Sequence, residues 1–207
     1  KGYCLVPFES GADITIINTC TVTHRADFDS RQMVRKALRN NPDSLIIVTG
    51  CYSQVAPEGF AQMEGVKYLL GNREKFQIPG LLPLMEKGEL PSVQVSDIRN
   101  EKTFTETPVH TFHRHTRAFL KIQDGCNGRC SYCIVPHARG PSRSLPPERV
   151  IGHLRILKER DFKEVVLTGI HIGSYGRDLQ PSFSLERLLQ RIEIELSAVD
   201  PRAEEHV

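Results

Sequence analysis

The feature that most constrains the fold of this chain is a pair of short β-branched runs separated by one helix-length segment. Residues 13–18 and 45–49 are rich in β-branched residues, which predicts two strands. Residues 23–40 between them predict a helix with Thr23 as its N-cap. The predicted buried face of that helix consists of Phe28, Val34, Ala37 and Leu38. A strand–helix–strand unit of this length predicts a parallel sheet.

A cysteine follows the end of each of these strands, at Cys20 and Cys51. The carboxyl ends of neighbouring parallel strands lie at one sheet edge, about 5 Å apart from strand to strand. We therefore expect the two thiols to converge, and a metal or cluster site is one interpretation. Two ordinary buried thiols are the other, because free cysteine is among the most buried residue types. Cys4 lies in an apolar run and is predicted to pack inside a strand.

The second half of the chain repeats this layout. Residues 118–122 and 164–168 predict strands, and Pro146 opens a helix between them. The predicted buried face of this helix is Val150, Ile151, Leu154 and Leu157, and a last helix from Ser184 is predicted to bury Leu185, Leu188, Leu189 and Ile192. The predicted organisation is a first domain at 1–96, a linker at 97–116 and a second domain at 117–207.

Three further cysteines, Cys126, Cys130 and Cys133, follow the first strand of the second half with the spacing C-x3-C-x2-C. Tyr132 precedes the third cysteine. Three thiolates can bind three irons of a 4Fe–4S cluster and leave the fourth iron open to a small molecule. A closed zinc site would need a fourth ligand, for which His137 is the nearest candidate. A redox C-x-x-C pair would leave Cys126 without a role.

The composition fits a cytoplasmic enzyme. The six cysteines are not spaced as in a small disulfide-stapled scaffold, so a secreted disulfide framework is not expected. No apolar run approaches the ~20 residues of a membrane span, so no membrane partner is predicted. The net charge of +2 is too small to indicate a nucleic-acid partner by itself.

Five separated segments (18–23, 48–51, 125–133, 138–144 and 168–179) resemble, in this order, the radical S-adenosylmethionine (SAM) methylthiotransferases. The resemblance implies an α/β fold, with an N-terminal parallel α/β methylthiotransferase domain followed by the first part of a radical-SAM partial (β/α) barrel. It further implies that the opening strand with the first family cysteine, the rest of the barrel and the RNA-binding TRAM domain lie outside this chain.

The resemblance also implies cofactors and site residues. Two 4Fe–4S clusters and SAM are expected, with Cys126, Cys130 and Cys133 as ligands of the barrel cluster. Cys20 and Cys51 match the second and third ligands of an auxiliary cluster. The expected cofactor-binding residues are Tyr132, Arg139, Arg143, Gly169 and His171. For the two arginines, SAM carboxylate, RNA phosphate and ordinary loop charge remain open, and His171 has an ordinary loop histidine as its alternative.

The sequence of residues 168–179 resembles that of the family branch that acts on N6-threonylcarbamoyladenosine beside the tRNA anticodon. Isopentenyladenosine in tRNA and an aspartate of a ribosomal protein are the alternative substrates within the family. A cluster-stabilised RNA-binding module without catalysis is the alternative of another class. The implied partners are the tRNA anticodon loop, an electron donor such as flavodoxin or ferredoxin, and a sulfur source.

Overall fold

The computed structural model describes residues 2–21, 23–106 and 117–197. The chain forms two compact units, Lys1–Glu101 with Arg129–Gly140, and Lys102–Gly128 with Pro141–Val207. Part of the predicted linker, residues 107–116, lies outside the described residues, and the predicted domain limits remain predictions. No helix in the described ranges has both the length and the apolar character to cross a membrane.

The first unit contains a four-stranded parallel sheet with the order β1-β2-β3-β4. Its strands are β1 (Ile14–Thr19), β2 (Leu45–Gly50), β3 (Val66–Leu70) and β4 (Val93–Gln94). Its α-helices are α1 (His24–Asn40), α2 (Cys51–Val55), α3 (Glu58–Ala61), α4 (Ile78–Glu86) and α5 (Val135–Arg139). Short 3-10 helices cover Phe8–Ser10, Glu74–Gln77 and Ile98–Asn100. The predicted parallel strand–helix–strand unit is confirmed as β1, α1 and β2.

Helix α1 begins where the sequence predicts, because the Thr23 hydroxyl accepts a hydrogen bond from the Ala26 backbone N–H at 3.1 Å. Val34 and Ala37 of its predicted face are buried against the sheet. Phe28 is 54% exposed, so its place on that face was wrong. It precedes Val34 by six residues, which at 100° per residue lies about 120° around the helix.

The predicted strand around Cys4 was also wrong. Cys4 is exposed, and residues 2–7 form no strand. Neighbouring Leu5 is exposed as well, while the Tyr3 hydroxyl donates to Glu86 Oε2 at 2.7 Å. A short apolar run predicts a strand only where the backbone finds a hydrogen-bonding neighbour, and the described residues provide none for this segment.

The second unit contains a three-stranded sheet with the order β6-β5-β7. Its strands are β5 (Arg117–Asp124), β6 (Arg143–Ser144) and β7 (Glu164–Gly169), and its helices are α6 (Pro147–Glu159) and α7 (Leu185–Ser197), with a 3-10 helix at Ile172–Ser174. β5 and β7 are parallel, as predicted, whereas β6 pairs antiparallel with β5. The predicted face of α6 is buried in full, but Leu189 of α7 is half exposed, because it lies about 100° around the helix from buried Leu188.

Candidate functional site

Cys20 and Cys51 lie at the same edge of the first sheet. The register pairs Thr19 with Gly50, and the two cysteines are the residues that follow this pair. Cys51 is buried, with 8% exposure, whereas Cys20 is exposed. Gly50 has φ +106°, and a Cβ there would lie 2.3 Å from the Thr19 carbonyl oxygen, so this turn requires glycine. Because of this tight turn, α2 begins immediately after β2, and Cys51 is buried at the start of the helix.

The sulfur of Cys51 accepts hydrogen bonds from two side chains of the first unit. Arg139 Nε donates to Sγ at 3.1 Å, and Asn72 Nδ2 lies 3.7 Å from it. Asn72 Nδ2 also donates to the carbonyl oxygen of Ala138 at 2.7 Å. Sequence reasoning missed Asn72, although it stands two residues after β3, at the same edge as the cysteines.

Cys130 and Cys133 belong to the first unit, in the loop that leads into α5. The Cys133 backbone N–H donates to the Cys130 carbonyl at 3.0 Å, which folds this part of the loop into a turn. Cys130 is exposed and Cys133 is half-buried. Tyr132 between them is 88% exposed, so its ring is free of the core and open to a ligand.

Cys126 belongs to the second unit and follows β5. Its sulfur accepts a hydrogen bond from the Gly128 backbone N–H at 3.3 Å and lies 3.9 Å from His171 Nδ1. The Ser174 hydroxyl oxygen is 2.7 Å from the same Nδ1. The parallel pairing of β5 and β7 therefore brings His171 to the first cysteine of the C-x3-C-x2-C loop, as the sequence predicts.

The sequence analysis did not identify Gln123, whose buried side chain hydrogen-bonds three segments at this edge of the second sheet. It is fully buried, and its Nε2 donates to the Gly125 carbonyl at 2.7 Å and to the Ser142 hydroxyl at 3.0 Å. Its Oε1 accepts from the His171 backbone N–H at 2.8 Å. A Cβ at Gly169 would lie 2.9 Å from the Gln123 side chain, so glycine there permits the close approach. The close approach of Gln123 therefore explains the glycine at this position, and the cofactor-binding role of Gly169 stays a prediction.

Arg143 is buried, and it donates through Nη1 to the backbone carbonyl two residues earlier at 3.1 Å. The next residue, Ser144, donates through its backbone N–H and its hydroxyl to the Asp178 carboxylate at 2.7 and 2.6 Å. The Tyr175 hydroxyl donates to the Leu145 carbonyl at 2.6 Å. Burial, followed by the nearby carboxylates, raises the pKa of Tyr175 well above its ordinary range, so the hydroxyl remains a donor. These contacts fix β6 to the segment after β7.

The donor set fits an iron–sulfur cofactor in its chemistry. All six cysteines are free thiols, and four of the five predicted ligands are exposed or half-buried at strand ends and loops. No three His, Cys, Asp or Glu side chains in the described part of the chain are gathered closely enough to hold a metal ion. The assignment of these cysteines as ligands, and of Tyr132, Arg139, Arg143, Gly169 and His171 as cofactor-binding residues, therefore stays a prediction.

Two family models match the chain. Residues 1–71 match the uncharacterized protein family UPF0004, and residues 120–207 match the Radical SAM superfamily. The solved structure of TsrM from Kitasatospora setae, a radical SAM methyltransferase with cobalamin and a [4Fe-4S] cluster bound, has a TM-score of 0.59 at 17% identity. The likeness covers 91% of this chain and 41% of that one, and it concerns the fold. A UPF0004 domain followed by a radical SAM domain confirms the predicted fold class.

The relatives define the family more closely. The threonylcarbamoyladenosine tRNA methylthiotransferases MtaB of Bacillus subtilis and Aquifex aeolicus are 41% and 39% identical over 96% and 86% of this chain. A tRNA-2-methylthio-N(6)-dimethylallyladenosine synthase of Clostridium botulinum is 30% identical over 93% of it. The chain belongs to the radical-SAM methylthiotransferase family, and the resemblance is confirmed. It spans less than half of these relatives, 44%, 43% and 44% of their lengths.

Proposed function

We propose that this chain carries the cluster-binding part of a transferase that converts N6-threonylcarbamoyladenosine of tRNA to its 2-methylthio derivative. The observation that carries the proposal is the higher identity to the threonylcarbamoyladenosine enzymes, 41% and 39%, than to the dimethylallyladenosine enzyme, 30%. The sequence of residues 168–179 also favours the threonylcarbamoyladenosine branch. Isopentenyladenosine and the ribosomal-protein aspartate have no comparable support.

The proposed cofactors are those of the family, two 4Fe–4S clusters and SAM. Cys126, Cys130 and Cys133 would hold one cluster, and Cys20 and Cys51 would contribute to the other. When bound, these groups supply radical hydrogen abstraction from the adenine and the sulfur and methyl chemistry that follows. A cysteine-only donor set at the carboxyl edges of parallel strands supports this assignment.

The chain's own residues supply position and shielding. Gln123 links the carbonyl of Gly125, next to Cys126, to the backbone of His171, so the first cysteine and the histidine loop keep one arrangement. The exposed ring of Tyr132 offers a flat apolar surface beside the third cysteine. His171, whose Nδ1 lies 2.7 Å from the Ser174 hydroxyl and 3.9 Å from the Cys126 sulfur, is proposed to orient a polar group of SAM or of the substrate.

The partners of the enzyme are part of the same proposal. The anticodon loop of tRNA is the substrate, an electron donor such as flavodoxin or ferredoxin supplies single electrons, and a sulfur source replenishes the inserted atom. We place the reaction in the cytoplasm, where tRNA is modified.

A comparison of two RNA substrates tests the proposal. The full-length enzyme is incubated with SAM and a reductant and with anticodon loops that bear either threonylcarbamoyladenosine or isopentenyladenosine. The threonylcarbamoyl group carries a carboxylate and a hydroxyl that the isopentenyl group lacks, and a site built to bind such groups discriminates by ~4 orders of magnitude in favourable cases. Chromatography with mass detection should find the methylthio product on the first RNA alone. Equal turnover would overturn the substrate, and RNA binding without SAM cleavage would favour the non-catalytic module.

A further inference from the structure

We propose that Arg139 is a positioning residue of the auxiliary site, where its guanidinium donates to the sulfur of Cys51 and raises the reduction potential of a cluster held there. The inference rests on the proposed function, because it takes Cys51 as a cluster ligand. It gives Arg139 a role other than the SAM or phosphate binding that the family resemblance suggests.

The contact between Arg139 and Cys51 is short and sheltered. Arg139 Nε lies 3.1 Å from Sγ, well inside the range of N–H···S hydrogen bonds. Cys51 is 8% exposed and Arg139 is half-buried, so the sulfur is largely shielded from water. An electrostatic interaction is stronger in such surroundings than in bulk water, and a charged donor forms a stronger hydrogen bond than a neutral one.

The position of Arg139 is fixed by the elements around it. Arg139 ends α5, which packs against α2, the helix that Cys51 begins. Asn72 Nδ2 donates to the carbonyl of Ala138, the residue before Arg139, and Lys75 Nζ donates to Asn72 Oδ1 at 2.9 Å. The lysine thereby orients the Asn72 amide with its N–H groups toward α5. These contacts fix the end of α5, and with it the backbone of Arg139, beside Cys51.

A cationic donor at a cluster ligand favours the reduced state. One-electron reduction adds one negative charge to the cluster and its thiolates, so a hydrogen bond from Arg139 stabilises the reduced form more than the oxidised form. In the sequence, Arg139 lies six residues after Cys133. Helix α5 therefore lies between the last cysteine of the C-x3-C-x2-C loop and the Arg139–Cys51 contact, within the first unit.

The test measures the auxiliary cluster alone. In the full-length protein, Cys126, Cys130 and Cys133 are replaced by Ala, so that only this cluster is loaded on anaerobic reconstitution. Dithionite then titrates it while electron paramagnetic resonance reports the reduced fraction, without SAM or tRNA. Arg139→Gln and Arg139→Lys are compared with this parent, and Arg39→Gln, which removes an exposed arginine from α1 of the same unit, is the matched control.

We expect the midpoint potential of Arg139→Gln to lie below that of the parent and of Arg39→Gln, with Arg139→Lys between them because it keeps the charge without the planar donor. Loss of iron from Arg139→Gln with retention in Arg139→Lys would also support the proposal. An unchanged potential in Arg139→Gln would overturn it, as would equal loss of iron from both Arg139 variants. A parent that takes up no cluster would instead contradict the auxiliary-cluster part of the proposed function.

Discussion

Both units contain two parallel strands that end at one sheet edge, but the surroundings of Cys51 in the first unit differ from those of Cys126 in the second. In the first unit, β2 passes directly into α2, and Cys51 is buried with Arg139 and Asn72 as its partners. In the second unit, β5 ends in an irregular loop, and Cys126 stays half-buried with a backbone N–H and His171 nearby. The difference indicates that a turn after a strand can either sequester a thiol among polar donors or leave it accessible to a ligand.

The largest expected effect is the loss of SAM cleavage when Cys126 is replaced, compared with replacement of Cys4. Cys126→Ala in the full-length enzyme should abolish SAM cleavage, because a cluster held by the two remaining thiolates of the loop is labile. Cys4→Ala is the matched control, since Cys4 is exposed and lies outside both sites. Formation of 5′-deoxyadenosine, measured by chromatography, should be lost in the first variant and kept in the second. Retained cleavage in Cys126→Ala would remove Cys126 from the cluster.

The next largest effect is a loss of stability when the buried hydrogen bonds of Gln123 in the second unit are removed. Gln123→Met has a similar volume but leaves the Gly125 carbonyl and the His171 N–H without their buried partner. We expect the free energy of unfolding to fall by about 2–4 kcal/mol, because each buried unpaired group costs ~1–3 kcal/mol. Gln190→Met makes the same change at an exposed position of α7 and should stay within about 0.5 kcal/mol of the parent. Chemical denaturation measures both, and equal values would contradict the role of Gln123.

The smallest effect compares surface carboxylates of the two units. Arg149 first, and then His153, lower the pKa of Glu106 below its ordinary value of 4.5 in the second unit. A depressed pKa gives a stabilisation that is full above about pH 4.5 and is lost as the pH falls through the folded-state pKa. Glu106→Gln should therefore cost at most about 1 kcal/mol at neutral pH, and the difference from the parent should vanish under acid.

Glu9→Gln is the counterpart in the first unit. A backbone hydrogen bond, followed by Lys36, lowers the pKa of Glu9, but this carboxylate is mostly exposed and makes a single hydrogen bond to the lysine. Its substitution should have a smaller effect than that of Glu106, which accepts three hydrogen bonds from Arg149 and lies 3.0 Å from His153 Nε2. Denaturation curves at pH 7 and pH 3 compare the two. A larger loss in Glu9→Gln would contradict this ranking of surface pairs.

The sequence predicted the strands and helices that form the two sheet edges, but few of the side-chain contacts there. The β-branched runs and the Thr23 cap specify β1, α1 and β2 locally, and parallel pairing then places Cys20 beside Cys51. Phe28 and Leu189 were misplaced because an apolar residue near a helical face need not lie on it. Asn72 and Gln123 were missed because their partners are backbone groups and residues far along the chain, which no local pattern reveals.

The membership of α5 in the first unit was likewise beyond local reasoning. Residues 129–140 begin only five residues after the end of the second-unit strand β5, yet their helix α5 packs with α2 and with the 3-10 helix Ile98–Asn100. This placement depends on the contacts of Ala138 and Arg139 with residues from the first half of the chain. Such tertiary contacts have no signature in composition or periodicity.

The central claim is that the two cysteine sites have separate tasks, and a variant that removes only the auxiliary site of Cys20 and Cys51 tests it most directly. The full-length enzyme with Cys20→Ala and Cys51→Ala is supplied with SAM, reductant and an anticodon loop bearing threonylcarbamoyladenosine. Both 5′-deoxyadenosine and the methylthio nucleoside are measured in the same reaction. We expect that 5′-deoxyadenosine is still formed and that the methylthio nucleoside is absent. Loss of both products, or continued formation of the methylthio nucleoside, would contradict it.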